Sequence, residues 1–329
     1  MKQNNHLFIG WDTDLDELSH TLEQHGDSIS YLKIGSVCVD SVDIERICKM
    51  VQGSSVSVCI GGGVAEKTPK SGWNRFKRLK QLSKKGVTAI ELPLGVLEDN
   101  DLVRVAGDRF QKRVIEIGVK TTCSHPENSV SRFIEGVEIA EKFKPDNIVL
   151  EGSLGGDCGI YHNDSLPNIL VVDSVMEKIG DASRCIIEGP LKQQQDLWRS
   201  IYGKETHVGN IEDFEMLSMP DELNSPEGYW EPLRAFRKRL KNLVENSRFS
   251  WDEVTTNHKL NAAIMFAFPE ILAIDDETLM RYVEHSLHRD PMRMLMQHLL
   301  GNTFVMAGSG MIRLGGGIHI IRSGGVQEE

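Results

Sequence analysis

A closed (β/α)8 barrel with a C-terminal helical extension is the fold class this 329-residue sequence predicts, on three observations. Eight short, β-rich apolar runs recur through the first two-thirds of the chain. Amphipathic segments with helical spacing lie between them, and strand–helix alternation implies a parallel sheet. No G-x-G-x-x-G follows the first run, so an open dinucleotide-binding sheet is the weaker choice against eight strands with eight connections.

The runs are "LFIGWD" (7–12), "YLKIG" (31–35), "SVSVCIGG" (55–62), "AIELPLG" (89–95), "VIEIGV" (114–119), "NIVLEGS" (147–153), "CIIEGP" (185–190) and "THVGNI" (206–211). "DELSHTLEQHGD" follows the first, and "DIERICKMVQG" follows the second, closing on Gly53 as a helix C′ residue. "WNRFKRLKQLSKKG" follows the third, "SVSRFIEGVEIAEKFKP" the fifth, "ILVVDSVMEKIGD" the sixth and "QQQDLWRSIYG" the seventh. Near 220 the texture changes to a turn-rich linker, "MPDELNSPEGYWEP". Beyond it "LRAFRKRLKNLVENS", "HKLNAAIMFAFPEIL", "DETLMRYVEHSLHR" and "PMRMLMQHLLGN" read as helices. The glycine-rich tail "AGSGMIRLGGGIHIIRSGGVQEE" is expected to be partly mobile. The reading is a barrel over 1–220 and a helical appendage over 221–329.

A formal charge of −11 and a pI near 5.5 argue against nucleic acid as the main partner, because phosphate binding needs clustered Lys and Arg. A small anionic substrate, which responds to local charge, stays compatible. The six cysteines form no C-x-x-C pair, which suits free thiols in a reducing compartment. The start, "MKQNNHLFIGWD", has no signal-peptide core, and no apolar run approaches membrane-spanning length. The expectation is a cytoplasmic protein without a membrane partner, its oligomeric state open and a homo-oligomer included.

Four of the runs carry a carboxylate at or near their ends: Glu91, Glu116, Glu151 and Glu188. Buried carboxylates are costly unless paired or metal-bound. In a barrel, functional residues sit at the C-terminal ends of strands. The other runs also end in polar or glycine groups, Asp12, Lys33, Gly61–Gly63 and Asn210, so all are expected at one mouth. Any one glutamate is as readily a structural ion-pair partner as a functional group. The set favours a metal or acid/base site, and oxygen ligands of this kind suit Mg²⁺ or Mn²⁺. Lys33, in an otherwise apolar run, reads as a phosphate ligand, proton donor, Schiff-base former or salt-bridge partner. The amides of Gly62 and Gly63 could cradle an oxyanion. Lys192 and the amides around Gly209 fall where barrels often bind phosphate. Cys123 and Cys158, in loops, read as bystander thiols.

"YLKIG", "CIGGGVAE", "AIELP", "IVLEGSLGGDCGIY" and "IIEGPLKQQQDLWRSIYGKETHVGNI" resemble, in order over about 7–215, the phosphosulfolactate synthase family. The resemblance implies a (β/α)8 TIM barrel that adds sulfite to C3 of phosphoenolpyruvate with Mg²⁺. It implies Lys33 as the acid at C2, with Glu116 and Glu151 in catalytic roles. Glu91, Glu151 and Glu188 would be metal ligands. Gly62, Gly63, Lys120, Lys192, Gly209 and Asn210 would bind substrate. The chain departs from the family where Arg and Lys usually follow the sixth-strand Glu-Gly: here stand Ser153 and Asp157, and after strand five only Lys120 remains of a Lys-Lys pair. Two alternatives follow. One is a metal-dependent barrel acting on a different small carboxylated or phosphorylated substrate. The other is a non-catalytic barrel used as an interaction module.

Overall fold

The computed structural model describes residues 4–66, 74–122, 125–162, 164–219, 230–267, 270–288, 304–307 and 310–313. Cys123, the linker from 220 to 229, the segment "PMRMLMQHLLGN" and most of the glycine-rich tail lie outside the described residues. Eight strands close into a parallel barrel in chain order: β1 Asn4–Ile9, β2 Ile29–Ile34, β3 Ser57–Ile60, β4 Ala89–Pro93, β5 Lys112–Ile117, β6 Asn147–Leu150, β7 Cys185–Glu188 and β8 His207–Ile211. β8 pairs back onto β1, so the sheet has no edge. The fold is a (β/α)8 TIM barrel.

The helices follow from caps and apolar spacing. α1 (Leu15–His25) starts at Asp14 and α2 (Ile44–Met50) at Asp43; each aspartate side chain accepts from a first-turn amide. α3 (Gly63–Glu66) is a single turn after β3, and Asn74 caps α4 (Arg75–Lys84). α5 (Asn100–Arg109), absent from the sequence expectation, begins at Asp99 and buries Leu102 and Ala106, one turn apart on one face. α6 (Val130–Glu141), α7 (Ile169–Ile179) and α8 (Lys192–Tyr202) complete the ring. Gly53, with φ of +86°, lies in the turn after α2, one residue beyond the C′ place expected for it, because the helix already ends at Met50 with Val51 as its cap.

The first strand is displaced from its expected place. It runs over Asn4–Ile9, and the Gly10 amide donates to Thr13 Oγ1 as the chain turns away. Asp12 therefore lies in the loop after β1 rather than at a strand end, and it does not line the mouth pocket.

Alternation along the strands builds the interior in layers. Tyr31, Cys59, Ala89, Val114, Val149 and Ile186, one from each of β2 to β7, form a buried apolar plug. Two residues further along the same strands come Lys33, Gly61, Glu91, Glu116, Glu151 and Glu188. A two-residue step returns a side chain to the same face, so these groups share the next layer toward the strands' C-terminal ends. The residues between them, such as Leu32, Ile90, Ile115 and Ile187, face outward and are buried too.

The chain divides into two compact units, Met1–Pro167 with Val171–Trp230, and Asn168–Leu170 with Glu231–Glu329. The second holds α9 (Trp230–Glu245), α10 (Trp251–Thr255), α11 (His258–Ala267) and α12 (Asp276–His288) around its own core of Phe236, Leu240, Val254, Leu260, Leu279 and Val283. Ser250 and Glu253 form a capping box at α10. A short antiparallel pair, Phe304–Ala307 with Gly310–Arg313, follows.

Candidate active site: a lysine among four glutamates

The polar layer opens into a pocket of about 410 Å³ at the C-terminal mouth. Its walls include Lys33, Gly61, Gly62, Gly63, Glu91, Glu116, Lys120, Glu151, Ser153, Glu188 and Asn210. Lys33 stands at the centre. Its Nζ lies 2.7 Å from Glu188 Oε1 and 2.9 Å from Glu91 Oε2. Each carboxylate has a second donor. The Gly62 amide donates to Glu91 Oε1 at 3.0 Å, and the Gly152 amide donates to Glu188 Oε2 at 2.9 Å. The Gly62 N–H, expected at a substrate oxyanion, thus positions a carboxylate instead.

Glu116 and Glu151 are less compensated. The Ser153 amide donates to Glu151 Oε1 at 2.8 Å, while Lys120 Nζ reaches only to 3.8 Å of Oε2 from a largely exposed position. Glu151 Oε2 and Asn210 Oδ1 are buried without a hydrogen-bond partner. Asn210 adopts φ of +60°, tolerable for Asn, and its Nδ2 donates to the Ser153 carbonyl at 3.2 Å, tying the β6 loop to β8.

Electrostatics separates the four carboxyls. Burial alone would pull Lys33 down, but Glu188, Glu91 and Glu116 together hold its ammonium well above the ordinary lysine range. Burial likewise opposes ionisation of Glu91, yet Lys33 and hydrogen bonds keep it below the usual carboxylate value. Burial and then Glu91 and Glu151 drive Glu116 well above that value. Burial and then Glu188 raise Glu151 to about 7. Charge therefore accumulates at Glu91, where Lys33 offsets it, and protons collect at Glu116 and Glu151.

This has a consequence for stability. A Glu151 that ionises near 4.5 in the unfolded chain and near 7 in the fold keeps its proton longer when folded. The folded state then binds more protons at this group across that window, so Glu151's contribution to stability is full below about 4.5 and is lost as pH rises through about 7. The loss is on the order of 3 kcal/mol. Melting in EDTA at pH 5 and pH 8 should differ by several degrees, and Glu151→Gln should flatten the difference. An unchanged pH slope in the variant would place the titrating group elsewhere.

Not every expected residue joins this layer. Gly209 lies inside the barrel, where a Cβ would meet Ile186 and Glu188. Lys192, expected at phosphate, is buried and donates to Asp196 Oδ1 at 2.5 Å, and it does not line the pocket. The cations lining the pocket among the described residues are Lys33 and Lys120.

Three positioning residues escaped the sequence reading. Tyr161 Oη donates to the Glu188 carbonyl at 2.7 Å, and Trp198 Nε1 donates to that Oη at 2.8 Å. Gln194 Nε2 donates to the Gly156 carbonyl at 2.9 Å, which fastens the loop after β6 to α8. All three side chains are buried. The sequence signals for them are the "LKQQQDLW" run, which holds Gln194 and Trp198, and the end of "IVLEGSLGGDCGIY", which is Tyr161.

The oxygens present fit a hard divalent cation. Glu91, Glu116 and Glu188 each offer an oxygen within 4.8 Å of the others, and Glu151 Oε2 and Asn210 Oδ1 lack a donor. Lys33 occupies the space between Glu91 and Glu188, so the uncompensated side of the cluster, toward Glu116 and Glu151, has most to gain from a cation.

No described helix is long and apolar enough to cross a membrane. Among curated proteins, none matches the chain. Solved structures similar to it include orotidine 5'-phosphate decarboxylase from Pyrococcus horikoshii OT3, at 10% identity and TM-score 0.41, covering 62% of this chain and 88% of that one. Another is 3-hexulose-6-phosphate synthase from Salmonella typhimurium, at 13% identity and TM-score 0.41, covering 64% and 89%. A third is 7,8-dihydropteroate synthase from Vibrio fischeri ES114, at 12% identity and TM-score 0.43, covering 65% and 88%. The profile of one family, (2R)-phospho-3-sulfolactate synthase (ComA), matches residues 10–220. That match takes in all but the first strand of the barrel and every glutamate of the mouth, and by it the chain belongs to the ComA family.

Proposed function

We propose that the barrel is a phosphosulfolactate synthase-like lyase, which adds a nucleophile to C3 of phosphoenolpyruvate. Sulfite is the nucleophile the family name implies. The observation that carries the reading is the Lys33 ammonium held between Glu91 and Glu188, beside Glu116 and Glu151, whose carboxyls burial and neighbouring glutamates push upward.

Attack at C3 forms the new bond and moves the enol π electrons toward C2 and the carboxylate, giving an enediolate. C2 must then take a proton. Lys33 keeps its ammonium at neutral pH and stands in the pocket wall, so it is the donor, and Glu91 and Glu188 hold it in place. Glu116 and Glu151, with Glu91 or Glu188, would hold Mg²⁺ or Mn²⁺. Such a cation, when bound, supplies charge stabilisation at the substrate carboxylate. The plug of Tyr31, Cys59, Ala89, Val114, Val149 and Ile186 closes the floor against water.

A second reading, a less anionic substrate, rests on the loop after β6. Where the family pattern has cations, Ser153 Oγ donates to Asp157 Oδ1 at 2.9 Å. Calorimetry with phosphoenolpyruvate tests the common part: binding is expected with Mg²⁺ and should be lost in EDTA. Equal binding in both would end metal bridging. ³¹P NMR after adding sulfite then separates the two readings. A new phosphate resonance at the expense of phosphoenolpyruvate supports sulfite addition, and binding without conversion transfers the reaction to another nucleophile.

A further inference from the structure

The mouth has an acidic floor and an apolar rim. Among the described residues, the large apolar side chains exposed to solvent are Trp11, Val37, Val119, Leu154, Leu191 and Met219. All but Met219 stand in loops that leave the C-terminal ends of strands: β1, β2, β5, β6 and β7 respectively. Single exposed apolar residues are ordinary, but a concentration around one opening is not. Val37 is 73% exposed and Leu154 40%, and both line the 410 Å³ pocket together with Phe8. Phe8 lies over Gly35, where a Cβ would stand 2.6 Å from its Cζ.

A phosphate, a carboxylate and a second inorganic anion would make no use of this rim. They would also add anionic charge to a pocket whose lining cations, among the described residues, are Lys33 and Lys120. We infer that one substrate of this site is an organic molecule with an apolar substituent, which packs against Phe8, Val37 and Leu154 while its anionic end meets the metal-binding floor. The inference rests on the reading of that floor as a cation-assisted anion site, and it deepens the second reading above, in which the substrate is less anionic than phosphoenolpyruvate with sulfite. Phe8, Val37 and Leu154 are then specificity-determining residues, with no part in proton transfer.

The test uses the full chain and α-phosphonocarboxylates that share one head group: phosphonoacetate, 2-phosphonobutanoate, 2-phosphonohexanoate and 2-phosphonooctanoate. Calorimetry is run with Mg²⁺ throughout. Affinity should rise about two- to fourfold per added methylene until the rim is covered. The double variant Val37→Ser/Leu154→Ser should lose most of this dependence on chain length. Both side chains are exposed, so the variant should melt with the parent. Equal affinity of all four ligands overturns the inference and leaves the anion site standing. Binding of none overturns both. Flat chain-length dependence, with a change of sedimentation coefficient in the double variant, overturns it in favour of contact between copies of this chain.

Discussion

Lys33→Met should reduce single-turnover conversion of phosphoenolpyruvate by roughly 10²- to 10⁴-fold, and it should also destabilise the fold. The two losses have different origins. A positioned general acid contributes roughly 10²- to 10⁴-fold, and no other described cation approaches Lys33's place, since Lys120 is mostly exposed and 3.8 Å from Glu151. The stability loss comes from Glu91 and Glu188, which are 2% exposed each and would share the pocket without their ammonium. Removing one partner of a buried pair costs about 3–5 kcal/mol. Protonation of one glutamate would limit that cost at neutral pH, as it already does for Glu116. The two effects can be separated on one protein. Lys33→Met/Glu188→Gln removes an ammonium and a carboxylate together, so it should recover part of the melting temperature lost in the single variant. It should recover none of the rate. Recovery of both would make Lys33 a structural ion-pair partner only. A folded single variant with the parent's rate and melting temperature would remove it from both roles.

The barrel was legible because its signals are local. Strand runs such as "AIELP" and "VIEIG" combine β-branched residues with a period of two, and their lengths are those of strands. The same period put Glu91, Glu116, Glu151 and Glu188 into one layer, each two residues beyond a member of the apolar plug. Legibility failed where one side chain has several possible partners, or where the deciding contact is distant in sequence. Lys192 looked like a phosphate ligand from its place after β7, but one turn along α8 Asp196 takes its ammonium. Tyr161 reaches the Glu188 carbonyl, and Trp198 reaches Tyr161, across 27 and 37 residues of chain, which no local pattern announces. α5 carries a weak sequence signal because its buried face is little more than Leu102 and Ala106, and Gly107 on its exposed side lowers helix propensity. β1 starts and ends before its expected run because "FIGWD" continues the apolar pattern past Gly10, where the backbone turns.

Gly159→Ala should be among the most damaging single-methyl additions in the barrel. Gly159 sits at φ of +63°, in the loop after β6, with its amide donating to the Thr121 carbonyl at 2.6 Å. A Cβ there would stand 1.7 Å from the Glu151 carbonyl oxygen, and the atoms in the way are backbone, which cannot rotate aside. The left-handed conformation itself costs an alanine only about 1–2 kcal/mol. The collision adds far more, so the loop must lift from Glu151. Lifting breaks the Ile160 amide's bond to the Glu151 carbonyl and pulls Tyr161 from the Glu188 carbonyl. It also frees the Ser153 amide from Glu151 Oε1. The site loses its support at two of four carboxyls, and the expected cost exceeds about 4 kcal/mol, in the range reserved for identifiable structural failures. Gly180→Ala is the control, because Gly180 has φ of +75° with nothing within 4 Å of its Cβ position. Its cost should be about 1–2 kcal/mol, the backbone term alone. Melting temperature and hydrogen exchange over 151–161 would be measured for both variants. Equal destabilisation, with unchanged protection of the Ile160 and Tyr161 amides, would mean that the loop after β6 does not depend on its closure against Glu151, and that the mouth keeps its geometry by other contacts.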